Sequence, residues 1–288
     1  PGDILELCKI AEPTHGLITN IGKGHIEFFK SEDEVLKTKS ALLNWVKDSG
    51  VGFINGDDER LKPFRGTGKK TISFGLSGNN DFCTSDIEMS QDACYRFLLD
   101  NKTDIKLKIP GKKNIYNAAA AAAVGNEFGL SNKLIKEGLE SFKAYSLRGE
   151  IIEWNNINII NDSYNANPDS MLAALELLKE FPGKGSRIAV LGDMLELGSA
   201  SRNEHWNIGL KLYEYNIKRL ITVGIDSEHI TNAASKSGKV ISTHVNSHDA
   251  AAYILKKELQ TGDIVLVKGS RGCKMEKVLD HLISSENN

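Results

Sequence analysis

From about residue 149 to the end of the chain, short apolar runs alternate with segments of helical periodicity, and this alternation limits the fold more than any other feature. The runs INIIND, RIAVLG, RLITVG, KVISTHV and DIVLVKG each precede a segment whose apolar residues recur at helical spacing. Strands that alternate with helices in this way build a mostly parallel sheet. After the first run, Asn167 is the expected N-cap of a helix with Pro168 in its first turn; Met171, Leu172, Leu175 and Leu178 then share one face. The second half is therefore expected to be an α/β, Rossmann-like domain.

The first half is mixed. A strand is expected at GLITNIG, a long helix at about 32 to 48 and another strand at VGFIN. Several strand-like segments from about 71 to 110 suggest an antiparallel insertion, and two helices follow at about 114 to 127 and 131 to 142. The run Ala118 to Ala123 either permits close packing or is simply a strong helix former. A chain of 288 residues is comfortable as two domains with separate cores, and the boundary is expected between 147 and 148.

Composition narrows the function classes. With 40% hydrophobic and 26% charged residues and no apolar run of bilayer length, membrane spanning is not expected. The 36 basic and 38 acidic residues lack the basic excess that phosphate binding demands, so nucleic acid is not an expected partner. Cys8, Cys83, Cys94 and Cys273 are scattered without a CxxC pair, which suits reduced thiols in a cytoplasmic protein. The chain opens on Pro1 with no signal segment, and the expectation is that it begins partway through a larger product.

Open α/β sheets take ligands beyond the carboxyl ends of their strands, where loops and helix N-termini present unpaired donors. Asp162, Asn165, Asn167, Asp193, Glu196, Lys268, Ser270 and Arg271 all fall at such ends. Each alone is accounted for as a cap or turn residue; four polar loops at one rim point to a ligand. In the first half, the helix at 32 to 48 opens with Ser31 and Glu34 as a capping box, and Lys39 lies within its apolar stripe of Val35, Leu36, Leu42, Leu43 and Val46. Either its stem packs while the amine reaches water, or the amine serves a site, since burying it unpaired is costly. His25 follows a strand in the turn GKGHIE, a position that favours ligands. Three decoys fail: the glycines at 22 and 24 lack the third of a dinucleotide fingerprint, GTGKKT lacks P-loop spacing, and His25 with Glu27 has no PCxxC downstream.

Taken in order, ITNIGKGHIEFF, the helix carrying Lys39, NIYNAAAAAA, LRGE, NDSYNANPDSM, LGDMLELG and VKGSRGCKMEKV resemble the Mur ligase family over the whole chain. The resemblance implies a central ATPase domain followed by a Rossmann-like C-terminal domain that closes over the site. It also implies ATP and Mg2+ as cofactors. The family forms an amide bond by phosphorylating the terminal carboxylate of a UDP-sugar precursor, after which an amine displaces the phosphate. Such a site must neutralise phosphate charge and exclude water from the acyl phosphate. NDSYNANPDSM and VKGSRG imply UDP-N-acetylmuramoyl-tripeptide as donor and D-alanyl-D-alanine as acceptor, in cytoplasmic peptidoglycan precursor synthesis.

By position, His25 resembles the family's magnesium-ligating histidine. Lys39 resembles its carbamylated lysine, whose anionic carbamate can bridge to the metal; the surrounding Thr38-Lys39-Ser40-Ala41 departs from the usual Ala-Lys-x-Glu. Asn114 and Asn117 resemble the ATP-contacting asparagines, and Arg148 the arginine that reaches the phosphates. Asp162 is expected on the ribose hydroxyls, with Tyr164, Asn165 and Asn167 shaping the nucleotide and acceptor pockets. Asp193, Glu196, Lys268, Ser270 and Arg271 are expected on the acceptor side, Arg271 or Lys268 meeting its carboxylate. The family's P-loop and sugar-binding domain have no counterpart in these residues, so the chain alone is expected to bind ATP weakly without turnover. Another Mur-type or folylpolyglutamate-type ligase, and a non-catalytic scaffold retaining the fold, are the alternatives.

Overall fold

A computed structural model of the chain describes residues 1–22, 26–29, 31–66 and 69–284. Two compact units divide it, Pro1–Lys143 and Ala144–Asn288.

In unit 1, helix α1 (Asp3–Ala11) precedes β1 (Gly16–Ile18), α2 (Glu32–Trp45), β2 (Gly52–Asn55) and β3 (Thr71–Gly75). These are followed by β4 (Phe82–Met89), β5 (Cys94–Leu99), β6 (Thr103–Pro110), α3 (Lys113–Glu127) and α4 (Asn132–Ser141). The strands form one six-stranded sheet in chain order. Neighbours from β1 to β4 are parallel and those from β4 to β6 antiparallel. The expected antiparallel insertion is thus two different things. Residues 71–75 join the parallel part, and only the β4–β5–β6 meander is antiparallel, continuing the same sheet. In the turn between β5 and β6, Asp100 and Asn101 both take left-handed φ, 50° and 56°, and the Lys102 amide donates to the Leu99 carbonyl at 3.0 Å.

Alternate residues of β2 face opposite layers. Phe53 packs with Phe74 and with Ala119, Ala120 and Ala123 of α3, whereas Ile54 packs with Ile18, Leu43 of α2 and Leu61. The alanine run therefore serves close approach to the sheet. Helix α2 is capped by Ser31, whose side chain accepts from the Glu34 amide.

In unit 2, β7 (Glu150–Trp154) pairs antiparallel with β8 (Ile157–Asp162). Then come α5 (Pro168–Glu180), β9 (Arg187–Gly192), α6 (Ser201–Lys211), β10 (Arg219–Val223) and α7 (Glu228–Ser235). The chain ends with β11 (Ile241–Val245), α8 (His248–Glu258), β12 (Ile264–Lys268) and α9 (Glu276–Ile283). The sheet order is β11-β10-β9-β12-β8-β7, parallel apart from β7. All five apolar runs read from the sequence are strands. Helices α8 and α9 cover one face through Ala251, Leu255, Val278 and Leu282 against Ile159, Val190, Val265 and Val267. Helix α5 lies on the other face over β9 and β12. Strand β7 is an addition to the expected pattern; its turn, Asn155-Asn156 with φ of 50° and 58°, is a type I′ hairpin.

Candidate functional site

The sheet of unit 2 reverses its order at β12. The chain runs from β8 to β9 leaving a lane between them, proceeds outward to β10 and β11, and returns to fill the lane with β12. Ligands of open α/β sheets bind at such a switch point, beyond the carboxyl ends of the strands. Register places Lys268 at the end of β12 beside Asp162 at the end of β8 and Leu191 near the end of β9.

At that rim the expected residues are tied to one another. Lys268 is 2% exposed, and its ammonium donates to Asp162 Oδ2 at 2.6 Å and to the Asn165 carbonyl at 2.9 Å. A buried ammonium is tolerated on these terms, paired and hydrogen-bonded. The Ser270 hydroxyl donates to the Ala166 carbonyl at 3.1 Å and accepts from the Leu195 amide at 2.8 Å, bridging two loops. Asn165 is exposed, and its Oδ1 accepts from the Ala166 amide at 2.9 Å. Asn167 caps α5 in a full capping box: its Oδ1 accepts from the Ser170 amide at 2.8 Å, and its own amide donates to Ser170 Oγ at 2.9 Å.

Asp193 staples the loop after β10. Its Oδ1 accepts from the Ser227 amide at 2.7 Å and its Oδ2 from the Ile225 amide at 3.1 Å. Gly224 makes this approach possible, for its φ is +127° and a Cβ there would lie 2.4 Å from Asp193 Oδ1. Glu196 and Arg271 are exposed, Glu196 with φ of 62°. Arg271 Nη1 donates to Glu276 Oε1 at 2.9 Å. The Arg148 guanidinium lies 3.8 Å from the centre of the Tyr164 ring, a cation–π contact, and the Tyr164 amide donates to the Leu147 carbonyl at 3.0 Å.

One residue of this rim is absent from the set that strand ends single out in the sequence. His205 on α6 is 0% exposed; its Nε2 accepts from the Met194 amide at 2.9 Å while its Nδ1 donates to the Ser201 carbonyl at 2.8 Å. Burial pushes its pKa below 6.5, against the opposing pull of the Ser201 carbonyl and of Asp193 and Asp226. A sequence signal exists, since His205, Ile208 and Leu212 follow one another at helical spacing and all are buried. Cys273, whose thiol donates to the Asp193 carbonyl, is pushed up to about 11 chiefly by burial and is not a nucleophile at neutral pH.

In unit 1 the expected residues Lys39, Asn114 and Asn117 lie on α2 and α3. Lys39 is half-buried and donates to the Asn20 carbonyl at 3.0 Å, in the loop that follows β1. His25 lies outside the described residues. As an ammonium, Lys39 is a donor and cannot ligate a metal; a carbamate on the same nitrogen would present oxygens to one. In the same loop the Ile21 amide donates to Asp58 Oδ2 at 2.7 Å. Among the described residues no cluster of three His, Cys, Asp or Glu side chains is placed to hold a metal ion. Asn114 Nδ2 donates to the Pro110 carbonyl at 2.7 Å, and the exposed Asn117 donates to Asn114 Oδ1 at 3.0 Å. Between them Tyr116 meets Asp57; burial, with that carboxylate, raises the phenol's pKa. Asp57 in turn accepts from the Leu76 amide at 2.6 Å and from Asn80 Nδ2 at 2.9 Å.

The Mur ligase middle domain matches residues 2–125, and the Mur ligase glutamate ligase domain matches residues 147–271. The chain belongs to the Mur ligase family. It is 32% identical over 286 residues to the UDP-N-acetylmuramoyl-tripeptide–D-alanyl-D-alanine ligase of Bacillus subtilis, an alignment that covers 99% of this chain and 62% of that protein. The chain thus spans less than two thirds of that relative's length. Among solved structures it superposes on MurF from Acinetobacter baumannii with a TM-score of 0.89 at 27% identity, covering 99% of this chain and 62% of that one. It superposes on the MurF ligase from Thermotoga maritima in complex with ADP with a TM-score of 0.87 at 28% identity, covering 98% and 64%.

Proposed function

We propose that this chain is the catalytic-core and acceptor-binding share of an ATP-dependent ligase that joins D-alanyl-D-alanine to UDP-N-acetylmuramoyl-tripeptide through an acyl phosphate. The observation that carries the reading is an alignment over 99% of the chain to a relative bearing that name. The complex of the Thermotoga ligase with ADP supports the nucleotide. Mg2+ is assigned to His25 and to Lys39 as its carbamate, and it would offset phosphate charge as acyl phosphate forms. Asn114, Asn117 and Arg148 serve ATP. Asp162 serves the ribose hydroxyls, beside pockets shaped by Tyr164, Asn165 and Asn167. Arg271, exposed at the rim, suits the acceptor carboxylate, with Glu196 and the Asp193 loop beside it. No described helix is long and apolar enough to cross a membrane, and the reaction is assigned to the cytoplasm.

The test is phosphate release from ATP, given UDP-N-acetylmuramoyl-tripeptide, with D-alanyl-D-alanine present, omitted or replaced by single amino acids. It is run on the chain itself and on the chain joined to the additional segments of its relatives. Release by the joined protein only when the dipeptide is present upholds the assignment. Release with a single amino acid reassigns the acceptor, and no release under any condition refutes ligation.

A further inference from the structure

We infer that Lys268 and Ser270 are positioning residues, which hold the 162–167 loop from behind and do not touch the acceptor. Both side chains are 2% exposed, so a ligand reaches neither without displacing the groups already bound to them. The ammonium of Lys268 engages Asp162 Oδ2 at 2.6 Å and the Asn165 carbonyl at 2.9 Å. The Ser270 hydroxyl uses its one hydrogen on the Ala166 carbonyl and a lone pair on the Leu195 amide. Asp162, Asn165 and Ala166 are thus all anchored to two polar positions at the end of β12 and its exit. Gly269, between those positions, leaves room for nothing else: a Cβ there would lie 2.6 Å from Met275 Cγ and 3.1 Å from Gly192 Cα.

The brace leaves one group free to act. Asp162 is 25% exposed at its side chain. Its Oδ2 is fixed by Lys268, and among the described residues no protein donor reaches its Oδ1. A carboxylate with one oxygen locked from beneath and the other turned outward is a preorganised acceptor for ligand hydroxyls. That those hydroxyls belong to a nucleotide rests on the function proposed above; that Lys268 and Ser270 hold the loop does not.

The experiment is amide hydrogen exchange on the full chain, as wild type, Lys268→Met, Ser270→Ala and Lys268→Met with Asp162→Asn. Binding of D-alanyl-D-alanine is measured by calorimetry on the same proteins. Lys268→Met is expected to speed exchange over residues 163–167 by roughly tenfold, leaving the β10 and β11 amides unchanged. Adding Asp162→Asn is expected to recover part of that protection, because no carboxylate is then left unpaired. In Lys268→Met and Ser270→Ala any loss of dipeptide affinity is expected to be no larger than the loss of protection over 163–167, about tenfold at most. Unchanged exchange over 163–167 in both single variants overturns the inference, as does loss of dipeptide binding while the loop stays protected. Should Lys268→Met fail to fold, Ser270→Ala decides alone through the Leu195 amide and the 163–167 segment. A wild-type chain that binds no dipeptide counts against the proposed function, and the brace is then judged by exchange.

Discussion

The two units draw on the same residue types, asparagine, aspartate and lysine, and use them differently. In unit 2 the polar groups answer one another: Lys268 with Asp162, Ser270 with two loops, Asp193 with the 225–227 backbone, His205 with Met194. In unit 1, Lys39 and Asn114 lean on backbone carbonyls, and Asn117 stands exposed with a contact to its neighbour. Burial accounts for the contrast. An unmet polar group costs little where water reaches it and about 1–3 kcal/mol where water does not. Polar groups as buried as Lys268 and Ser270 must therefore be satisfied by protein partners, whereas an exposed one such as Asn117 can be left to a ligand. The two lysines differ in burial, Lys268 being 2% exposed and Lys39 half-buried with a bond to the Asn20 carbonyl.

If that contrast is right, equal truncations should have unequal effects. The largest is expected at Gly224→Val, which forces a β-branched residue to φ of +127° and drives it into Asp193. A loss of about 3 kcal/mol or more by urea denaturation is expected, and a loss below about 1 kcal/mol would break the account of the Asp193 staple.

Next comes His205→Leu, which strands the Met194 amide in the interior and should cost about 2 kcal/mol. The same variant carries a pH signature. The folded pKa of His205 lies below 6.5, so below that pH the unfolded chain binds more protons than the folded one. Its stabilising contribution is complete above pH 6.5 and is lost as pH falls from there through the folded value. Denaturation at about pH 7.5 and 5.5 should show wild type losing stability on acidification and His205→Leu losing less. Parallel pH profiles would remove His205 as the source.

A smaller effect is expected at Asn167→Ala, about 1 kcal/mol for the loss of the α5 cap, seen as an increase in amide exchange in the first turn of that helix. The smallest belongs to unit 1, where Asn117→Ala should change stability by no more than about 0.5 kcal/mol. Under the proposed function it should weaken ATP binding all the same. A stability cost above about 1 kcal/mol there would make the two units alike after all.

Much of the architecture is legible in the order of the residues. Four of the five apolar runs of unit 2 are central strands, apolar because a covered parallel sheet buries both of their faces, whereas the fifth, β11, is an edge strand with Ile241 exposed. Strand β7 is hidden because Glu150 and Glu153 interrupt its apolar residues near the junction of the two units, although Asn155-Asn156 is a hairpin turn in residue type. In the rim of unit 2, strand ends alone bring Lys268, Asp162 and Asn165 to notice; direct hydrogen bonds join them, and Ser270 reaches the adjoining Ala166. What sequence cannot supply is direction. Whether Lys268 faces a ligand or a neighbour depends on β12 lying between β8 and β9, and lane order is set by packing of the whole sheet, not by a local pattern. A lysine that ends the run IVLV is the available warning that its amine needs a partner inside.

The late filling of the central lane also bears on how the protein is made. Ribosomes release a chain from its N-terminus, so β8 and β9 emerge long before the strand that must separate them. Until residues 264–268 appear, the two have no native neighbour on their facing edges, and unpaired edges invite wrong partners. The arrival of β12 joins the sheet, buries Lys268 against Asp162 and closes the rim in one event. A nascent chain stalled before that strand should be ready prey for chaperones and proteases, and one stalled just after it should resist them.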